Sequence, residues 1–512
     1  MSFFDTRPAD RRFLSWAILF TLVGASLNSI WCIYIDDVVN NDAVEYIRAA
    51  ERFAVRDWAG AFAVHQWPFF SALMWVTGRV FGISYEAAGY LLNSVFFSAA
   101  SVFFVLVVHA FGGTTRRLVS FAVLLAVLHP SFNEYRAYII RDGGFLAFYL
   151  LGLFLLIRST SHHRFTVFAL AGLSFLIAGA FRIEGVIFVM SLPLLAWAAG
   201  KFKLRSSLAR IVVGLMAALV IAIVAGWWFV GVSSGLHATS LFFEPYQLLA
   251  SGWTSFTEGF EEKVLFLQAH YLPSYAAHFA GVIAVLTAGI ILIALITSQV
   301  TVPWVACILW GRLGLNFRFL GHHHDRLWIV VIGIHVFILS AFVLTQFFVT
   351  PRYPLGLSMT VLAVVPFVLN GLNLEWDSLR MKRVRHVIAA LLFLWAAGES
   401  LSGLDNVTRA NALKSAGMWL ADRTTTAGSL VTNDRRVAYY AGRHNDSKYI
   451  QLDSRKMYFQ LRKNRWPDAT WIAIRLRRDD EAYLVDFFDG LSKRPVKIFD
   501  AGAGDRVFIF ER

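Results

Sequence analysis

What most limits this chain is a succession of long apolar runs joined by short loops. Runs that can cross hydrocarbon lie at about 13–35, 89–111, 118–133, 143–158, 165–181, 183–200, 208–230, 279–310, 327–350, 353–371 and 386–402. A spanning helix needs roughly 20 mostly apolar residues. Backbone in lipid must satisfy its own hydrogen bonds, which leaves helices or closed barrels, and runs of this length are helical. The expectation is an all-α polytopic membrane protein with about eleven transmembrane helices. Its 57% hydrophobic and 16% charged residues agree, since soluble domains are roughly 45–50% apolar.

Loop charge sets the orientation. With a cytoplasmic N-terminus, the cytoplasmic loops carry Arg116 and Arg117, then Arg158 and Arg164, then Lys201, Lys203, Arg205 and Arg210, then Arg312, Arg318 and Arg326, and last Arg380, Lys382, Arg383 and Arg385. These loops are basic and nearly free of acids, as the positive-inside rule requires. The net charge of +13 therefore points to membrane topology and anionic lipid, and no nucleic-acid partner is expected. The first run follows Arg7, Arg11 and Arg12 without a small-residue cleavage site, so it is expected to stay as a signal anchor. The expected location is a bacterial inner membrane, multi-pass, with the C-terminal domain periplasmic.

Residues 1–402 thus form the transmembrane domain, with a first external loop at 36–88 and an aromatic, amphipathic external loop at 231–278. Within the first loop, 43–55 has a helical pattern and 69–81 is expected as a re-entrant or interfacial helix. Residues 403–512 are polar, and short runs such as Ser429–Thr432, Thr470–Ile474 and Arg506–Phe510 alternate with helical stretches such as Asn411–Asp422. That alternation predicts a small α/β domain. Cys32 and Cys307 lie inside apolar runs and imply no disulfide framework. His322, His323 and His324 are expected in a solvated cytoplasmic loop, because consecutive histidines do not share a helix face.

Directly after the first run comes Tyr34-Ile-Asp-Asp-Val-Val-Asn-Asn-Asp-Ala-Val-Glu-Tyr46. Carboxylates at the mouth of a membrane helix are costly without a task, so Asp36, Asp37, Asp42 and Glu45 mark a candidate reaction centre. The bland alternative is that these aspartates cap the next helix. Four arginines break the charge rule by lying at outer helix ends: Arg136, Arg141, Arg182 and Arg352. Their planar forks suit phosphate oxygens, although Arg141 with Asp142 and Arg182 with Glu184 could equally be structural ion pairs. An acid that accepts a proton and arginines that hold a phosphate fit transfer of a sugar from a lipid phosphate.

Several motifs strengthen this reading. Asn41-Asp-Ala-Val-Glu-Tyr46 with Ala49-Ala50, Gln66-Trp-Pro-Phe69 followed by Phe81-Gly82, Arg141-Asp142, Ala180-Phe-Arg-Ile-Glu-Gly185, Pro351-Arg-Tyr353, and Val431-Thr-Asn-Asp434 with Ala438-Tyr-Tyr-Ala-Gly442 occur in an order that resembles the C-type (GT-C) superfamily of integral membrane glycosyltransferases. That superfamily includes protein O-mannosyltransferases and aminoarabinose transferases, which use polyprenyl-phosphate sugars. The first loop here has only Trp67-Pro68 where aminoarabinose transferases usually show paired prolines, so that sugar is not carried over.

The resemblance implies that Asp42 is the catalytic acid position, with Asp37 and Asp142 as further candidates. It implies phosphate binding by Arg352, Arg141, Arg182, Tyr353 and Arg136, and substrate contacts from Glu45, Tyr46, Glu134, Glu184, His65 and Trp67. The partners would be a polyprenyl-phosphate sugar donor, the lipid bilayer, and a glycolipid, polysaccharide or protein acceptor. No cofactor is expected, although the acids leave room for a divalent metal. The rival expectation is a transporter or flippase of lipid-linked sugars, which discontinuous helices and buried charges would favour.

Overall fold

Proline decides where the apolar runs break. The computed structural model describes residues 8–65, 67–162, 165–199, 252–309, 311, 322–346, 349–371, 379–402, 407–423, 429–445, 448–449, 466, 468–476, 494–500 and 506–511. The run expected at 118–133 is a helix Arg116–Leu128 followed by a single turn, Pro130–Asn133, with proline at its first position. The run at 183–200 divides into Ile183–Met190 and Leu192–Ala198 beside Pro193. The run at 279–310 divides into Ala280–Val300 and Val302–Leu309 beside Pro303, and that at 353–371 into Leu355–Leu362 and Val365–Gly371 beside Pro366.

These four runs are therefore pairs of shorter helices, where continuous spans were expected. Proline offers no N–H to the carbonyl four residues back, and it disfavours helical backbone in the residue before it. At the third break Thr301 takes a φ of +67°, a left-handed value that a β-branched residue adopts only under constraint.

Among the described residues five helices are long and apolar enough to cross a membrane: Asp10–Ile35, Tyr85–Ala110, Asp142–Ser159, Ser274–Val300 and His324–Leu344. Phe69–Phe81, Thr166–Phe181 and Val387–Leu401 are shorter apolar helices, and Leu355–Asn370 is an apolar stretch broken after Leu362. The protein is a multi-pass membrane protein. The expected span at 208–230, and the amphipathic loop up to residue 251, lie outside the described residues. The helix His322–Gln346 begins within the histidine run, where a loop was expected. His324 Nδ1 lies 3.2 Å from the Phe111 carbonyl oxygen.

The chain forms two units. The first comprises Met1–Leu27, Val95–Tyr135 and Arg141–Glu399, and the second Asn28–Ser94, Arg136–Ile140 and Ser400–Arg512. The first external loop lies in the second unit.

In the first unit, glycines let helices approach to backbone contact. A Cβ on Gly144 would stand 2.3 Å from the Phe181 ring, and one on Gly185 would stand 2.1 Å from the Gly179 nitrogen. Only residues without a side chain allow this approach. Helix Ile183–Met190 thus folds back on Phe165–Phe181, which fixes the turn at Arg182 between them. Apolar layers of Ala288, Val343 and Val349, then Leu292, Leu339 and Leu357, support Tyr353.

In the second unit, helix Asn41–Ala54 buries Ala43, Val44, Tyr46, Ile47, Ala50 and Phe53, spaced three and four apart as one apolar face demands. Helix Phe69–Phe81 packs on it, with the Phe70 and Tyr46 ring centroids 5.3 Å apart. It ends at Gly82, whose φ of +66° makes a left-handed cap. The C-terminal part is the expected α/β domain. Strands β1 (Ser429–Thr432), β2 (Lys448–Tyr449), β3 (Ala469–Leu476), β4 (Lys497–Asp500) and β5 (Arg506–Glu511) form one sheet in the order β2-β1-β3-β5-β4. The β2–β1 and β1–β3 pairs are parallel, and β3–β5 and β4–β5 antiparallel. Leu413, Ala416 and Leu420 of helix Val407–Ala421 pack against Leu430, Val437, Trp471 and Ile509.

Candidate active site

The arginine cluster of the first unit centres on Arg182. Helix Phe165–Phe181 ends just before it, and its own backbone is extended, so the guanidinium projects from a turn flanked by two helices. One terminal nitrogen binds Asp142 and the other Glu184. Its Cζ lies 4.4 Å from the Tyr353 ring centroid and 5.5 Å from that of Phe145. The side chain is buried, only 5% exposed. Burial alone would favour losing its proton, but Glu184 and Asp142 outweigh that and hold it charged more firmly than usual.

Arg352 and Arg141 stand near enough for their charges to act on Asp142. These five residues carry three positive and two negative charges, a surplus of one positive charge. The fork of Arg182 is committed to carboxylates. Arg182 is the strut that aligns Asp142 and Glu184. Glu134 accepts a hydrogen bond from Gln299 Nε2 at 3.3 Å. Arg136 belongs to the second unit and is fully buried, donating to Ser29 Oγ at 2.8 Å. Burial pushes its pKa down to about 10.

In the second unit the acidic loop meets cations and hydroxyls of the C-terminal domain. Lys414 pairs with Asp37 and Arg435 with Glu45. His444 Nε2 and Asn445 Nδ2 each lie 3.0 Å from Glu51 Oε2. The Tyr439 hydroxyl donates to Glu86 at 2.6 Å, and the Tyr440 hydroxyl accepts from the Val39 N–H at 2.9 Å. The Glu51 carboxyl lies low: burial raises it, but hydrogen bonds from His444 and Asn445 prevail.

Asp42 is half-buried in the first turn of its helix and is not the cap. That position falls to Asn40, whose side chain makes no capping bond. Instead Asn40 grips the backbone of Ile139, accepting from its N–H at 2.8 Å and donating to its carbonyl at 3.4 Å. The Asp42 carboxylate therefore sits at the positive end of the helix without being the residue that starts it. Tyr46 is 3% exposed, with its ring against His65 and Phe70, so it packs as core. His65 Nδ1 accepts from the Trp67 N–H at 3.0 Å. Among the described residues, no three His, Cys, Asp or Glu side chains gather as metal ligands.

The sequence reading missed Lys414, Arg435, Arg436 and His444. The signal was at hand, since Asp434 and Ala438–Gly442 were already singled out and the two arginines lie between them.

This chain is similar to solved structures of other membrane proteins. The crystal structure of the Archaeoglobus fulgidus oligosaccharyltransferase, tethered to an acceptor peptide containing the NVT sequon, matches 92% of this chain and 70% of its own at 12% identity, with a TM-score of 0.52. This chain has the fold of that oligosaccharyltransferase. ArnT from Cupriavidus metallidurans in the apo state covers 97% of this chain and 98% of its own at 13% identity, with a TM-score of 0.49. No family model and no curated protein matches the sequence.

Proposed function

We propose that this protein is a membrane glycosyltransferase that moves a sugar from a polyprenyl-phosphate donor to an acceptor hydroxyl or amide on the extracytoplasmic side. The observation that carries the reading is the buried Asp142–Arg182–Glu184 group with Arg352 and Arg141 acting on it, on a fold shared with an oligosaccharyltransferase. Arg352 and Arg141 would bind the donor phosphate, and Asp42 would take the acceptor proton. As that proton leaves, the acceptor atom bonds to the anomeric carbon. The bond from that carbon to the phosphate oxygen breaks, the lipid phosphate departs with the electron pair, and the anomeric configuration inverts. Guanidinium groups stabilise the charge growing on the phosphate.

The test is transfer by the purified full chain in lipid nanodiscs, with polyprenyl-phosphate sugars as donors and product read by mass spectrometry. Release of free polyprenyl phosphate that depends on the acceptor supports the reading. No turnover with any hexose or pentose donor and lipid, glycan or peptide acceptor removes it.

A second reading, a transporter of lipid-linked sugars, draws on the helix break at Thr301 and the buried polar groups beside it. His129 Nε2 is 3.1 Å from the Val300 carbonyl, and Ser131 Oγ donates to the Gln299 carbonyl. Movement of a fluorescent lipid-linked sugar between leaflets without any transfer would favour it.

A further inference from the structure

Asp36 stands where the first helix stops, its N–H donating to the Cys32 carbonyl at 2.9 Å. The residue is half-buried, and its Oδ1 is sealed from water with no hydrogen-bond partner in the protein. A carboxylate oxygen so enclosed is costly unless an opposite charge is close. The groups whose charges bear on Asp36 are Arg436 and Asp37, and Asp36 in turn acts on Cys32 and Tyr90. Arg436 is the one cation among them.

Arg436 is held rigidly. Its Nε and Nη2 donate to the two oxygens of Asp434 at 3.0 and 2.8 Å, and its backbone N–H donates to Asp434 Oδ1 at 3.0 Å. Asp434 is 3% exposed, caps helix Arg435–Tyr440, and takes a further bond from Arg475 Nη1 of β3 at 3.1 Å. Besides Asp434 and Asp36, Arg436 feels the Tyr138 hydroxyl. Negative Asp434, positive Arg436 and negative Asp36 thus form an alternating series that begins just after β1 and ends in the first loop. The neighbouring pairs Arg435–Glu45, Tyr439–Glu86 and His444–Glu51 bind the same two parts together.

We infer that Arg436, aimed by Asp434, is a positioning residue for the Asp36 carboxylate, which makes the C-terminal domain a working part of the first-loop acid centre. The catalytic consequence rests on the glycosyltransferase reading; the electrostatic one does not. Burial holds the Asp36 carboxyl above its ordinary range, while the Val38 N–H and Arg436 oppose that rise. Removing the Arg436 charge therefore raises it further. A carboxylate held above its usual range is a better proton acceptor than an ordinary one.

The experiment is an infrared titration of the full chain in nanodiscs, taking the difference between each protein and its Asp36→Asn version to isolate this carboxyl. Arg436→Gln should move the midpoint up by roughly one pH unit, and Arg436→Lys should restore much of the shift. If the glutamine variant does not fold, Arg436→Met, which keeps the length of the side chain without its charge, takes its place with the same upward shift expected. An unchanged midpoint in a folded charge-free variant overturns the inference. In a transfer assay, the acid limb of the rate profile should shift by the same amount in Arg436→Gln. Lack of transfer by the unmodified protein would strike the glycosyltransferase reading and leave the titration to judge the role of Arg436.

Discussion

Glu45 of the first external loop is paired with Arg435 of the C-terminal domain, 390 residues later in the chain. The pair is a little over a quarter exposed on each side, so it contributes about 0.5–1 kcal/mol. Reversing Glu45 to Arg places like charges together beside Arg48, whose guanidinium already feels both residues. Glu45→Arg alone should make the second unit more susceptible to limited proteolysis, and Glu45→Arg with Arg435→Glu should recover most of the loss. A double variant no better than the single ones would show that the pair does not couple the two parts.

Arg182 is a different case, because both of its carboxylate partners are buried. Arg182→Ala would leave Asp142 and Glu184 without their shared counter-charge, at a cost of about 3–5 kcal/mol. Lysine would not replace it, since one ammonium cannot reproduce two arms of a planar fork. Thermal unfolding in detergent should show a large drop for both variants. Relief on adding Asp142→Asn and Glu184→Gln would confirm that the uncompensated charge is the cause.

Asp42 lies at the helix start but Asn40 occupies the cap, so activity and stability should separate. Asp42→Asn should lower transfer by roughly 100- to 10,000-fold, the range for losing a general base, while the unfolding temperature stays within error. A transfer rate equal to that of the unmodified protein would take Asp42 out of the chemistry.

Arg352→Ala should remove charge stabilisation at the phosphate. A loss of about 3–4 kcal/mol corresponds to a few hundred-fold in kcat/KM. Unchanged kinetics in a folded variant would make Arg352 a structural residue.

Asp434 gives the pH prediction. Burial would raise its carboxyl, but Arg436 and Arg475 outweigh it and hold the pKa below the ordinary range. A carboxyl depressed in the folded state contributes stability above its unfolded pKa, and that contribution fades as pH falls through the folded value. Asp434→Asn should therefore weaken the second unit at neutral pH by about 3 kcal/mol. The gap from the unmodified protein should close as pH drops below about 4. A gap constant with pH would mean that shape, not charge, holds this position.

Much of this was legible from local pattern. The apolar runs located the helices, and the alternating runs after residue 428 located β1, β3 and β5. The breaks at Pro130, Pro193, Pro303 and Pro366 were also written in the sequence, but hydropathy averages across a proline and does not register them. Pairing was legible only where it is local. Arg182 with Glu184 is two residues apart, whereas Arg182 with Asp142 depends on Gly144, Gly179 and Gly185 letting three helices close. The choice of Asn40 over Asp42 as cap could not be made from residue type, because both cap well. It is settled by the grip of Asn40 on Ile139. The side chains that meet Asp37, Glu45 and Glu51 lie more than 370 residues downstream, and no periodicity reports a contact at that separation.

The second unit is stitched from Asn28–Ser94, Arg136–Ile140 and Ser400–Arg512, and this has a consequence for biosynthesis. At ribosomal speeds of about 5–20 residues per second, its earliest segment emerges on the order of 20–80 s before Lys414, Arg435 and His444, which pair with it. During that interval its carboxylates face the translocation machinery or a chaperone unpaired. A premature stop near the end of the message would thus be felt first at the opposite terminus.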